Sequence, residues 1–177
     1  GVGATGGVTY GWTNVPVFPG SGGGSYLPSQ QGQLGGHGGG VVRVETEQEM
    51  TIYGVIKANG EAGQNASGAG AGGAILLAAG GSINGSVGCE LRAQGGAGAG
   101  STGGGGGGRI AIWFNTPPAT RQRFYAGDFA RAVYTNSYSH FLGQFFVEGG
   151  SGYQSGSNGT VSYVTAILNP GTIFTFR

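Results

Sequence analysis

Hydrophobic and polar residues alternate in short glycine-led segments that recur along the chain. In the first segment, for example, Arg43 separates Val42 from Val44. Alternation with period two is typical of a half-buried β-strand. Four such segments occur, at 39–44, 72–77, 107–112 and 158–163, and their starts are 33, 35 and 51 residues apart. The pattern therefore predicts four equivalent strands.

A second alternating element recurs between these segments. It occurs at 56–60, 91–95 and 145–149, with spacings of 35 and 54 residues. Because two elements keep nearly the same period, we expect equivalent strands to stack as parallel ladders. The sequence thus predicts an all-β fold, a glycine-rich parallel β-solenoid or β-helix, over residues 39–177, preceded by an irregular N-terminal cap at 1–38.

Long glycine-rich tracts join the predicted strands, at 60–73, 95–108 and 149–159. Glycine-rich chains often serve as flexible linkers. Alternatively, such tracts can pack as extended, polyproline-II-like segments, since only glycine allows backbones to approach so closely. The tracts recur in phase with the strands, which favours packed polyglycine tracts.

Two regions depart from the repeat, the N-terminal cap at 1–38 and an insertion. Residues 115–142 form an insertion of nearly 20 residues relative to the shorter repeats, rich in arginine and aromatic residues. Within it, 120–133 is the only segment for which we predict a helix. Separately, the C-terminal residues Thr172, Ile173, Phe174, Thr175 and Phe176 alternate as a strand, which we expect to lie at an edge or to exchange between subunits.

Composition narrows the functional classes. The chain has 177 residues, of which 44 are glycine and only 15 are charged, and its net charge is +1. Glycine costs about 1 kcal/mol per helical position relative to alanine, so a conventional helical enzyme is excluded. The small net charge gives no indication of the basic surface that nucleic-acid-binding proteins present. No apolar run approaches the roughly 20 residues of a membrane-spanning helix, so we expect a protein that does not span a membrane.

Candidate catalytic groups are scarce. Asp128 is the only aspartate, and neither His37 nor His140 has partners at the spacing of a metal or hydrolase site. Gly103–Gly108 matches a nucleotide-binding glycine pattern, but a strand rather than a helix follows it. Glu45 and its alternating neighbours are better explained as a solvated face than as a calcium site. We therefore predict no enzyme activity, no catalytic residues, no cofactor and no metal.

Several of these segments together carry a family resemblance. Gly72–Leu77, Ile56–Gly60 and, most strongly, Gly103–Phe114 resemble the glycine-rich β-solenoid repeat region of large bacterial secreted and cell-surface, adhesin-like proteins. The resemblance covers about residues 10–163 and implies an extracellular or cell-surface β-solenoid module of an adhesive or matrix-forming protein. A weaker similarity is to phage tail-tip adhesins built from packed polyglycine helices. The insertion departs from the pattern.

The preferred functional prediction is an extracellular structural protein. It would be a subunit or module of a self-assembling surface filament, sheath or adhesin stalk, and its partners would be copies of itself in a head-to-tail homopolymer. Exposed strand edges and a small net charge both favour such association.

The alternative is an adhesin module that binds surface polysaccharide or a cell surface through the insertion. Aromatic rings stack on sugars and guanidinium groups bind anions, although the same residue types are also common in subunit contacts and in simple packing. The candidate contact residues are Arg121, Arg123, Tyr125, Arg131 and Tyr134.

Three sequons predict possible glycosylation in surface loops of a secreted protein. Their acceptors are Asn65, Asn84 and Asn158.

Overall fold

A computed structural model describes residues 11–25 and 34–167. The described residues form ten strands and one helix. In chain order these are β1 (Val41–Thr46), β2 (Met50–Ile52), β3 (Val55–Lys57), β4 (Ala74–Ala79), β5 (Ile83–Gly85), β6 (Glu90–Arg92), β7 (Arg109–Phe114), α1 (Pro118–Tyr125), β8 (Ala132–Thr135), β9 (Gln144–Phe146) and β10 (Thr160–Ala166).

The largest sheet has five strands in the order β1-β4-β7-β10-β8. The first four strands are parallel, and Val41, Ala74, Arg109 and Thr160 are partners across them. The alignment of the four glycine-led segments in the sequence predicted this register, and the strand pairing confirms the prediction. β8 instead runs antiparallel to β10 and forms the far edge.

Two smaller sheets complete the fold. β3, β6 and β9 form a three-stranded parallel sheet in which Ile56, Leu91 and Phe145 are partners, as the second repeating element predicted. β2 pairs only with β5, and an isolated bridge from Gly85 to Phe141 extends this ladder.

The main core lies between the three sheets. Ile75, Leu77, Ile110 and Ile112 from the large sheet are fully buried and belong to the same cluster as Leu91. Each such side chain contributes about 1.5–3 kcal/mol when it leaves water. The alternation read from the sequence therefore identified the residues that face this core.

The opposite face of the large sheet is also buried, which the sequence pattern did not predict. Leu76, Ala111 and Trp113 are completely inaccessible and pack in a second cluster with Phe124 of α1 and Val15. Trp113 meets Phe124 edge-on at 5.3 Å between ring centroids. Helix α1 of the insertion and the N-terminal region around Val15 therefore cover a face that the sequence pattern predicted to be more polar.

The predicted fold class, an all-β parallel β-solenoid or β-helix, is wrong. The described residues form a mixed α/β structure with three sheets and a helix, and they contain no solenoid or closed barrel. Three physical reasons explain the difference. The glycine tracts form no β-ladder, the sheet of β2 and β5 has no strand from the later repeats, and antiparallel β8 ends the large sheet.

The helix of the insertion is shorter than predicted. It spans Pro118–Tyr125 rather than 120–133. Proline at its first position has the φ that a helix start requires. Gly127 adopts a φ of +81° just beyond the last turn, a conformation that favours glycine and ends the helix. Val133 consequently lies in β8.

Candidate functional site

The glycine tracts are built from hydrogen-bonded pairs of extended segments. We call the segments that lead into the four long parallel strands the returning segments; they are 35–39, 68–73, 103–108 and 154–159. Those that follow β3, β6 and β9 are the outgoing segments, 58–63, 93–98 and 147–152. The segment 20–24 is called the N-terminal segment. Since backbone hydrogen bonds join these segments throughout, the flexible-linker alternative is wrong.

Hydrogen bonds from one returning segment rotate among three neighbours. In 68–73, every third N–H donates to the same neighbour, so successive donors point about 120° apart, as in a polyproline-II helix with three residues per turn. The donor–acceptor pairs are Gly68–Gly24 and Ala71–Ser21 to the N-terminal segment, Ala69–Gly103 and Gly72–Gly106 to the next returning segment, and Gly70–Glu61 and Gly73–Ala58 to the outgoing segment.

Glycine is required at most positions of this lattice because the backbones approach so closely. A Cβ added to Gly70, Gly105 or Gly108 would lie well under 3.0 Å from a carbonyl oxygen of a neighbouring segment. None of the three has a positive φ. The requirement therefore comes from space and not from backbone conformation.

The N-terminal segment lies in a groove between the returning segments 35–39 and 68–73. Four backbone hydrogen bonds hold it there. They run from Gly20 N to Gly39 O (2.8 Å), from Gly23 N to Gly36 O (2.9 Å), from Ala71 N to Ser21 O (2.9 Å) and from Gly68 N to Gly24 O (2.9 Å).

The strands of the first repeat all lie at sheet edges. Among the strands that the structure describes, β1 and β3 lie at sheet edges, and β2 pairs only with β5. Gly40 O accepts from Ala74 N, and Thr46 O accepts from Gly80 N. In a parallel pair, every second residue of a strand directs its backbone N–H and C=O groups toward the partner strand. Because residues 40 and 46 face β4, the backbone groups of residues 41, 43 and 45 point away from it. Within the described residues, nothing hydrogen-bonds to these groups, so this edge is open.

Apolar side chains accompany the open edge. Val41 and Val44 of β1 are 41% and 37% exposed, Val55 of β3 is 49% exposed, and Tyr53 beside it is 79% exposed. At the other end of the large sheet, β8 covers the edge of β10. The two ends of the large sheet therefore differ: a parallel strand is open at one, and an antiparallel strand closes the other.

Two of the predicted contact residues are engaged inside the molecule. Arg121 is 4% exposed, and its Nη1 donates to Glu45 Oε2 at 3.1 Å. The Tyr125 hydroxyl donates to Glu45 Oε1 at 2.7 Å, and the Arg43 guanidinium lies 4.0 Å from the centroid of the Tyr125 ring. Arg43 also pairs with Glu45. This network fastens the insertion to β1.

The network shifts the pKa values of its members. Burial alone raises the pKa of Glu45, but hydrogen bonds from Tyr125 and Arg43, together with the charges of Arg43 and Arg121, bring it below its ordinary value. Burial raises the pKa of Tyr125, and so do the hydrogen bond to Glu45 and its charge. Glu45 therefore stays ionised and Tyr125 protonated around neutral pH.

The remaining predicted contact residues do not form one site with these two. Arg123 pairs with Asp128 through its Nε at 2.8 Å. Arg131 and Tyr134 are exposed, and the Tyr134 ring lies 6.3 Å from that of Phe129. The sequence grouped five residues by proximity along the chain, whereas the fold divides them between an internal network and the surface.

A shallow cleft adjoins the insertion. Its volume is about 500 Å³, and it is lined by Gly11, Trp12, Thr13, Asn14, Gly127 and Phe129. Trp12 is 60% exposed. Sequence reasoning missed Trp12 and Glu45 as site residues. The signal available was that Trp12 is one of only two tryptophans, within a turn-rich stretch.

The predicted glycosylation sites differ in their exposure. Asn65 and Asn158 are exposed, whereas Asn84 is half-buried within β5. The Asn158 Oδ1 accepts from Gly149 N at 3.1 Å. The predicted strand at 172–176 lies outside the described residues.

Titratable groups are paired or isolated in the part of the chain that the structure describes. His37 Nδ1 lies 2.7 Å from Glu61 Oε2, and this hydrogen bond lowers the pKa of Glu61. Over the described ranges, no group of three or more His, Cys, Asp or Glu side chains could hold a metal ion. Nor does any helix of residues 11–25 and 34–167 have the length and hydropathy to cross a membrane.

Comparison of the chain with protein-family models, with curated proteins and with solved structures found no match. Function must therefore be inferred from the surfaces described above.

Proposed function

We propose that this chain is a structural subunit or module of an extracellular, self-assembling filament, sheath or adhesin stalk. The observation that carries the proposal is the open edge of the first repeat, where β1, β2 and β3 all end their sheets on the same repeat. An uncovered strand edge is a template for pairing with another chain. The small net charge of +1 provides little repulsion between copies.

The two ends of the large sheet set the geometry of a head-to-tail contact. Its last parallel strand, β10, is already paired with β8. A second copy that extends this sheet would therefore place its β1 against β8, where Val133 and Tyr134 are 40% and 51% exposed. Lys57 on the β3 edge adds a positive charge that disfavours pairing with a basic edge.

The test compares association of the native chain with that of an edge variant. In Val41→Pro the change removes a backbone donor from the open edge, where proline is tolerated because that N–H bonds to no strand among the described residues. Val87→Pro is the matched control, since Val87 is 83% exposed in the turn between β5 and β6. A variant that ends at residue 171 tests the predicted strand exchange by 172–176.

Light scattering and electron microscopy at increasing concentration provide the measurement. We expect the native chain and Val87→Pro to form ordered oligomers and Val41→Pro to remain smaller at the same concentration. If the native chain stays monomeric at the highest concentration, the proposal is wrong.

A second candidate function is binding of surface polysaccharide at the cleft lined by Trp12 and Phe129. An exposed tryptophan beside polar Thr13 and Asn14 offers both a stacking surface and hydrogen-bonding groups. A glycan array with Trp12→Ala, and with Tyr153→Ala as an exposed aromatic control, tests it. Binding that survives Trp12→Ala would remove this candidate.

A further inference from the structure

The repeat contains a second copy of the groove that holds the N-terminal segment. The strand registers make 35–39, 68–73, 103–108 and 154–159 equivalent. The groove between the last two is thus related by two repeats to the groove occupied by 20–24. We infer that this distal groove binds the 20–24 segment of a second copy of the chain. The inference rests on the proposed self-assembly and names a surface that takes part in it.

The distal groove presents the same backbone groups as the occupied one. In the occupied groove, two carbonyls accept from the N-terminal segment and two N–H groups donate to it. Across the described ranges, nothing hydrogen-bonds to the four equivalent groups of the distal groove. These are the carbonyls of Gly104 and Gly107 and the N–H groups of Gln154 and Ser157, equivalent to Gly36, Gly39, Gly68 and Ala71 respectively.

Two glycines of the run 103–108 provide independent support. Gly104, Gly105, Gly107 and Gly108 are required by close contacts within the chain. At Gly103 and Gly106, however, the only described atoms that an added Cβ would meet are the Gln154 and Ser157 carbonyl oxygens, each at 3.7 Å, and neither glycine has a positive φ. The chain therefore uses glycine, with its entropic penalty, where its own fold leaves room for a side chain.

The occupied groove explains these two glycines. Gly35 and Gly38 are the residues equivalent to Gly103 and Gly106, and a Cβ at either would overlap a carbonyl oxygen of the N-terminal segment. Glycine at 103 and 106 leaves the same space for a segment that docks equally closely. An extended glycine-rich segment is thus the ligand that fits.

The groove between 68–73 and 103–108 differs at a position that faces the docked segment in the occupied groove. Ala71 occupies the position equivalent to Gly38, so its methyl group projects where a docked segment would lie. The chain therefore obstructs the intermediate groove, whereas no described residue lies in the distal one, where Gln154 and Ser157 stand at the positions of Gly68 and Ala71. The N-terminal segment of a partner stays in its own groove and meets the distal groove with its outer face, where Ser21, Gly22 and Gly24 are exposed. Across the described ranges, nothing hydrogen-bonds to the Ser21 and Gly24 N–H groups or to the Gly22 carbonyl of that face.

Amide hydrogen exchange of the native chain tests the groove directly. With nuclear magnetic resonance at a low and a high concentration, we expect exchange of the Gln154 and Ser157 amides to slow by about tenfold or more on association. This readout requires no substitution. Association that leaves both amides unprotected would overturn the inference and leave assembly through the β1 edge intact. Absence of association at every concentration would overturn both proposals.

Two variants identify the groove and its occupant. Gly103→Val with Gly106→Val fills the groove, whereas Ser101→Val adds the same side chain to the exposed loop nearby. Gly24→Val changes the occupant, and a Cβ there has no neighbour within 4 Å in its own chain. We expect the double variant and Gly24→Val to weaken association about tenfold or more, with unaltered monomer melting, and Ser101→Val to associate normally. Native-like association of the double variant or of Gly24→Val refutes the inference.

Discussion

Adjacent glycines of the run 103–108 should respond in opposite ways to the same substitution. In Gly105→Ala, the new Cβ would lie well under 3.0 Å from the Gly70 carbonyl oxygen, which belongs to backbone and cannot rotate away. In Gly106→Ala, the nearest atom is the Ser157 carbonyl oxygen at 3.7 Å, an ordinary contact. Because neither glycine has a positive φ, backbone strain is the same in both variants.

The magnitude follows from the hydrogen bonds that surround Gly105. Relief of the overlap requires the neighbouring segments to separate by about 1 Å in a close-packed interior. Such a shift lengthens the bond from Gly96 N to Gly70 O, now 2.9 Å, beyond the usual limit of about 3.2 Å. The bonds from Gly105 N to Gly96 O and from Gly150 N to Gly105 O are disturbed as well. Three bonds at about 1 kcal/mol each, with about 1–3 kcal/mol of overpacking, give a loss of about 4–6 kcal/mol.

Urea and thermal unfolding followed by circular dichroism measure this difference. A loss of about 4–6 kcal/mol lowers the melting temperature of a domain this size by roughly 10–20 °C. Gly106→Ala should instead raise stability by about 0.4–1 kcal/mol, since alanine restricts the unfolded chain. Equal effects of the two substitutions, in either direction, would refute the argument that close backbone approach determines where glycine is needed.

Three further predictions concern the insertion. Glu45→Ala should lower the free energy of unfolding by about 3 kcal/mol, because it leaves the buried Arg121 charge without its carboxylate. Arg121→Met should lower it less, since the Glu45 carboxylate that remains reaches water. Urea unfolding of both variants measures the difference. Stability should fall as pH drops below about 4.5 through the lowered pKa of Glu45, and again as pH rises above about 10, where an unfolded Tyr125 ionises first; in pH-dependent melting, Glu45→Gln should weaken the acidic arm without abolishing it, because the pKa values of Glu61, Glu90 and Asp128 are lowered too. Phe124→Ala should cost about 3–5 kcal/mol by opening a cavity beside Trp113, and fluorescence of that tryptophan should shift to the red.

The sequence predicted the strand register but not the arrangement of the sheets. Alternation and spacing sufficed to align Val41 with Ala74, Arg109 and Thr160, because period-two patterns report which side of a strand is buried. They could not show that 118–125 covers the second face of the sheet. The apolar Leu76, Ala111 and Trp113 on that face were a local sign of it, but Leu76 and Ala111 are equivalent to polar Arg43 and Ser162, which obscured the pattern.

The candidate site was less predictable for a related reason. Arg121 and Tyr125 stood out by residue type, but their partner Glu45 is 76 and 80 residues away in the chain. No spacing rule connects such positions, since the pairing depends on how the insertion folds back over β1. The distal groove likewise required knowledge of which glycines approach another backbone, which composition alone does not reveal.

The rotation of hydrogen bonds around the returning segment 68–73 has a mechanical consequence. A β-sheet resists separation strongly along its hydrogen bonds but is held to the layer above only by side-chain contacts. The returning segment 68–73 bonds to neighbours in three directions instead. Transverse load on this segment of the glycine lattice is therefore shared among hydrogen bonds in three directions, so no single plane through it is held by side-chain contacts alone. A fibre built from such units would bend with similar stiffness about every axis through that lattice.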